Sequence, residues 1–172
     1  MRKWLILLYA PLILAVVNLA IWQNETLIEH GEILFLELAP VDPRSLMQGD
    51  YMALRFAMAD AIHQQLPKQE QHLDGQVTVQ LDPQRRASLV TLDQQQALAE
   101  DQLRLQYRVR NGRIKFATNA FFFQEGTGEI YQAAKYGVFR VGTEGYLILT
   151  HLADAALQTL GQSKSLQSTE LP

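Results

Sequence analysis

The sequence predicts an α+β protein: a single N-terminal transmembrane helix, then a mainly antiparallel β domain with short helices. Two observations carry that expectation. The chain is uncharged for 19 residues from Trp4 to Trp22. After it, short runs of alternating apolar and polar residues are punctuated by Pro, Gly and Asn-Gly, the pattern of hairpins. A third observation sets the size: 172 residues, 48% of them hydrophobic, make one domain with a core plus an appendage. The expected organisation is an anchor over residues 1–23, a β-rich domain over 24–160 and a disordered Ser- and Gln-rich tail over 161–172.

The anchor comes first. Met1-Arg2-Lys3 is a positive leader. At ~1.5 Å per residue the run from Trp4 to Trp22 reaches about 28 Å, the thickness of a hydrocarbon core. Trp4 and Trp22 stand at its two ends, where indoles favour the interface. The leader on one side and Asn24-Glu25 on the other orient the N-terminus toward the cytoplasm. A cleaved signal peptide is the rival reading. Against it, the apolar run is long and Asn18-Leu19-Ala20 is a poor small-x-small cleavage site. Pro11 and Asn18 are tolerable inside a span and can mark contact with a partner helix.

Gln23 to Gly31 reads as a polar helical stretch stopped by Gly31. Glu32 to Leu38 is the first strand. Pro40 and Pro43 lack amide donors, so the ladder stops there. Asp42 can cap the free amides of Arg44 and Ser45, and Gly49 can end that turn with a positive φ. From Asp50 the chain alternates again, with Tyr51, Ala53 and Arg55 on one face and Met52, Leu54 and Phe56 on the other. Ala57 to His63 continues the strand or bends away from it, and Leu66 to Gly75 is a loop by composition. Val77–Leu81 and Ser88–Leu92 form a hairpin around Asp82-Pro83. Asp93 to Asp101 is a polar connection or a short helix.

The clearest periodicity follows. Leu103, Leu105, Tyr107 and Val109 alternate with Arg104, Gln106, Arg108 and Arg110, and Asn111-Gly112 is a strong two-residue hairpin signal. On the return strand Ile114 and Phe116 fall on the apolar face. Arg104, Arg108, Arg110, Arg113 and Lys115 share the other, either an anion-binding surface or a solvated, edge-protecting one. Phe121-Phe122-Phe123 reads as buried from both sides. Thr127 can cap a short helix over Glu129–Lys135. Val138–Val141 and Tyr146–Thr150 make a last hairpin around Gly142–Gly145.

Two blocks carry a resemblance. Gly49-Asp50-Tyr51-Met52-Ala53-Leu54-Arg55-Phe56 is similar to the motif that names the GDYXXLXY proteins, a bacterial family of membrane-anchored domains. Phe56 stands where that pattern has Tyr, which keeps the ring and removes a hydroxyl. The second block is Phe121-Phe122-Phe123-Gln124-Glu125-Gly126 with Tyr131, Lys135-Tyr136-Gly137 and Phe139-Arg140-Val141. The match runs from the anchor to about Leu152. The resemblance implies a companion of membrane proteins. It makes Arg44, Gly49, Asp50, Tyr51, Leu54, Phe56, Glu125, Lys135, Tyr136 and Arg140 the candidate binding residues.

Composition limits the chemistry. There is no cysteine, hence no disulfide framework, thiol nucleophile, thiolate metal site or lipid-modified N-terminal cysteine. Net charge is −3, unlike the basic domains that bind nucleic acid. His30, His63, His72 and His151 are scattered without metal-ligand spacing, and Gly126-Thr127-Gly128 lacks the Lys of a phosphate loop, so no metal or cofactor is expected. Ser45 precedes a Gly-Asp-led strand, as in Ser-Lys signal peptidases. Its general base would have to be Lys68, Lys115 or Lys135, none of which lies in an apolar strand as a desolvated lysine needs. Asp50 is a turn acceptor or an ion-pair partner of Arg44, Arg55 or Arg140.

The expected function is an accessory module of the bacterial cell envelope: single-pass in the inner membrane, periplasmic beyond the anchor. It docks a polytopic membrane protein through the 49–56 and 121–141 blocks. The alternatives are a Ser45 hydrolase and a small-ligand sensor with a pocket under the Gly49–Phe56 turn.

Overall fold

The computed structural model describes residues 2–39, 47–48, 51–66, 72–92 and 97–161, without the side chains of 2–10, 12, 47 and 48. Residues 162–172 of the expected tail and the Pro40–Leu46 turn, with Arg44 and Ser45, lie outside the described residues. So do Gly49, Asp50 and Lys68.

Helix α1 (Arg2–His30) is continuous through Pro11. Its described side chains from Ile13 to Thr26 are all exposed, including Ile13, Leu14, Val16, Val17 and Trp22. Asn18 Nδ2 donates to the Leu14 carbonyl at 2.9 Å and Thr26 Oγ1 to the Trp22 carbonyl at 2.8 Å. These two polar side chains are therefore satisfied by the helix itself. Among the described residues no helix is long and apolar enough to cross a membrane. Gly31 ends α1: its amide bonds to the Leu27 carbonyl at 2.8 Å, and a Cβ there would collide with that same oxygen.

The rest is α+β and mainly antiparallel. One sheet pairs β1 (Glu32–Glu37), β9 (Tyr136–Val141) and β10 (Leu147–Ala153) in the order β1-β9-β10. A second holds β2 (Met47–Gln48), β3 (Tyr51–Ala53) and β8 (Ala120–Phe122), with β3 in the middle. The third has the order β5-β4-β6-β7, from β4 (His72–Leu81), β5 (Ala87–Thr91), β6 (Gln102–Arg110) and β7 (Arg113–Lys115). Short helices α2 (Ala57–Gln65) and α3 (Gly128–Tyr131) complete the domain. Backbone links join the sheets. Phe35 donates to the Arg85 carbonyl at 3.0 Å, Gln106 to Gly145 at 2.8 Å and Ala39 to Arg55 at 2.8 Å.

The core lies between the sheets. Leu34, Leu36, Phe56, Phe116 and Phe139 are fully buried, and the Phe56 ring meets Phe116 and Phe139 edge-on at 5.9 and 5.5 Å. Such contacts add about 0.5–1.5 kcal/mol to the burial of each ring. The β6–β7 hairpin forms as its sequence predicts. Asn111 and Gly112 have φ of 53° and 69°, and Leu105, Tyr107, Val109, Ile114 and Phe116 are buried.

Several expectations are corrected. Residues 57–65 form α2, because Met58 and Ile62, one turn apart, are both buried and hold it to the core. His72–Gly75 is not a loop; it extends β4 against Tyr107–Arg110 of β6. Gly75 is required there because the Tyr107 ring lies over it, 2.7 Å from where a Cβ would sit. Phe121–Phe123 is not buried on both sides, since among the described residues β8 is an edge strand and Phe122 is 74% exposed. Thr127 does not cap α3; its hydroxyl donates back to the Gln124 carbonyl at 2.6 Å.

Candidate functional site

The alternation from Tyr51 to Phe56 builds the site. Met52, Leu54 and Phe56 point inward and are buried, while Arg55 is exposed and Tyr51 half-buried. Strand β3 then pairs with the start of the second block, Tyr51 opposite Phe122, Met52 opposite Phe121 and Ala53 opposite Ala120. The Leu54 amide continues the ladder onto the Asn119 carbonyl at 2.7 Å. The structure thus brings the two sequence blocks together, strand to strand and, through Phe56 and Phe139, ring to ring.

Two surfaces flank this junction. The first is the edge formed by Tyr51 and Phe122, whose rings lie 5.7 Å apart across β3 and β8. Behind them, Phe121 and Phe123 pack on the buried ring of Tyr131 at 5.1 and 5.2 Å. The second is a cleft of about 560 Å³ on the other flank, between the Ala53–Arg55 segment, α2 and the edge strand β7. Its rim carries Arg55, His63, Arg113 and Lys115 against one carboxylate, Asp60, which Arg55 holds at 2.8 Å. No motif marks this cluster in the sequence. Arg55 and Lys115 are 60 positions apart, and β6 and β7 bring them to one place.

The remaining candidates scatter. Leu54 and Phe56 belong to the core. Glu125 is an exposed turn residue. Lys135 is exposed, and its backbone ties two strands, accepting from Leu38 and donating to Ala153, each at 2.8 Å. Tyr136 packs edge-on against Phe35 at 6.4 Å and accepts from the Arg86 guanidinium. Arg140 donates to the Gly31 carbonyl at 2.8 Å, a cation set at the C-terminal end of α1 where the helix dipole favours it. Arg140 and burial hold the His151 imidazole below its ordinary range, burial contributing most.

The five-cation face is divided by local pairing. Arg110 bonds Asp74 at 2.6 Å, and that hydrogen bond pulls the Asp74 carboxyl below its usual range. Arg108 is tied to the Ala117 carbonyl at 3.0 Å. Arg113 and Lys115 turn to the cleft. Among the described residues no three His, Asp or Glu side chains come close enough to hold a metal. Lys115 and Lys135 are both exposed, where an ammonium keeps its hydration, so neither has the surroundings of a lysine base.

An α+β domain that joins two aromatic-rich blocks around an inward-pointing motif strand is what these residues define. The chain belongs to the GDYXXLXY protein family, whose model matches residues 13–152. No curated protein and no solved structure matches it.

Proposed function

We propose that this chain is a membrane-tethered accessory module of the cell envelope: α1 holds the β domain at the outer face of the inner membrane, where it docks an integral membrane protein. One observation carries the reading. Helix α1 exposes apolar side chains on every described position from Ile13 to Val17, while its Asn18 and Thr26 bond back to its own carbonyls. A helix apolar all round calls for an apolar surround, and polar side chains inside a bilayer must find partners within the chain. Among the described residues no helix meets the length and apolarity of a span, so the tether rests on the sequence run from Trp4 to Trp22. The charged leader supports the orientation, with the domain periplasmic.

The docking element is the β8 edge beside the Tyr51–Phe122 pair. An exposed edge strand beside aromatic rings can receive an extended segment from a partner. The tether fixes the partner class, since whatever meets this edge persistently lies in the same membrane. A photo-crosslinking residue at Phe122, with the same residue at Val90 as control, tests this in whole cells. Val90 is also exposed but lies on the far strand β5. The reading requires one integral membrane protein crosslinked from position 122 and not from 90, from chains that resist alkaline carbonate extraction. Crosslinks from both positions or neither, or release by carbonate, contradict it.

A further inference from the structure

We infer that the cleft between β3, α2 and β7 is a binding site for a small soluble anion such as a phosphate ester. The inference does not depend on the docking reading.

Two features point to it. The first is size: about 560 Å³ lies within the range of small-molecule sites, about 300–1,000 Å³. The second is charge. The chain is acidic overall, with a net charge of −3, yet among the described residues this cleft gathers Arg55, Arg113 and Lys115 against the single carboxylate of Asp60, with His63 beside them. Arg55 is neutralised by Asp60, which leaves Arg113 and Lys115 to face an incoming anion. Both stand on the short edge strand β7, on either side of buried Ile114, so their side chains leave the same face of the strand.

Ala53, Leu54, Ala59 and Ile114 supply an apolar lining for the ligand's carbon frame. Anion and short carbon frame together describe a molecule such as glycerol 3-phosphate.

The same chemistry occurs in a lipid headgroup and in a free metabolite. The neutral-lipid membrane used in the test separates the two sources.

The test uses the full chain in neutral phosphatidylcholine nanodiscs, titrated calorimetrically with glycerol 3-phosphate and with inorganic phosphate. Glycerol 3-phosphate is expected to bind saturably and to weaken as salt is raised. Binding should fall about tenfold or more in Arg113→Gln/Lys115→Gln, since charge-assisted hydrogen bonds are the strong ones. These two residues are exposed, so far-UV spectra should be unchanged and the loss assignable to the site. No saturable binding, or equal binding by the double variant, overturns the proposal. So does binding that appears only when phosphatidylglycerol replaces the neutral lipid, because that outcome assigns the cleft to a headgroup.

Discussion

Helix α1 and strand β1 are built from the same residue types and separated by one glycine, yet they treat them oppositely. Leu14 is 67% exposed, whereas Leu34 and Leu36 are fully buried. Side-chain chemistry is equal in the two places; the difference lies in what the backbone geometry lets them meet. Strand β1 presents one face to the core, and its leucines land there every second residue. In α1 the apolar residues go all round, so no single face can bury them within the chain. The β domain buries its own apolar faces, whereas α1 leaves Ile13, Leu14, Val16 and Val17 exposed.

The largest effect that sharpens this contrast comes from the core. Phe56→Ala should cost about 3–5 kcal/mol, because it empties a space bounded by Phe116 and Phe139. Leu14→Ala should leave the domain's unfolding unchanged. Denaturant melts in detergent compare the two directly, and equal losses would erase the distinction between helix and domain.

The next effect lies at the junction. Gly31→Ala forces a methyl group onto the Leu27 carbonyl and toward Arg140, and should cost about 1–3 kcal/mol. If the melts do not move, the helix end is not fixed to β9 by that glycine.

A smaller effect is set by pH. The His151 imidazole has its pKa lowered by burial and then by Arg140. The folded state therefore resists a proton that the unfolded chain accepts. Stability from this source is full above the ordinary value of 6.5 and is lost as pH falls from there through the depressed folded pKa. Melts between pH 7 and pH 5 should show a decline that His151→Gln flattens. Asp74 and Asp82 also have lowered values, from 3.8, so their contributions fade only in stronger acid and leave that window clear.

The smallest effect belongs to the surface. Asp74→Asn removes the Arg110 ion pair, which is well exposed and screened by solvent, and should leave the unfolding midpoint nearly unchanged.

These contrasts also mark what could be read in advance. The β6–β7 hairpin was legible because Asn111-Gly112 supplies two positive φ angles between strictly alternating residues. The inward set Met52, Leu54 and Phe56 was legible for the same reason. Helix α2 was not, since only Met58 and Ile62 mark its face. The exposure of Phe122 was hidden too, because being on a sheet edge depends on which strands fail to arrive. The cleft was least legible: Arg55, His63, Arg113 and Lys115 belong to three elements, and only the tertiary path makes them neighbours.

Where the domain stands relative to the membrane can be measured directly. The natural chain has no cysteine, so Thr143→Cys, in an exposed turn, gives a single reporter. In intact cells a membrane-impermeant maleimide should label it fully while the chain stays with the membrane fraction. Labelling that requires lysis, or a chain that leaves the membrane with the soluble proteins, would contradict the tethered, outward-facing domain.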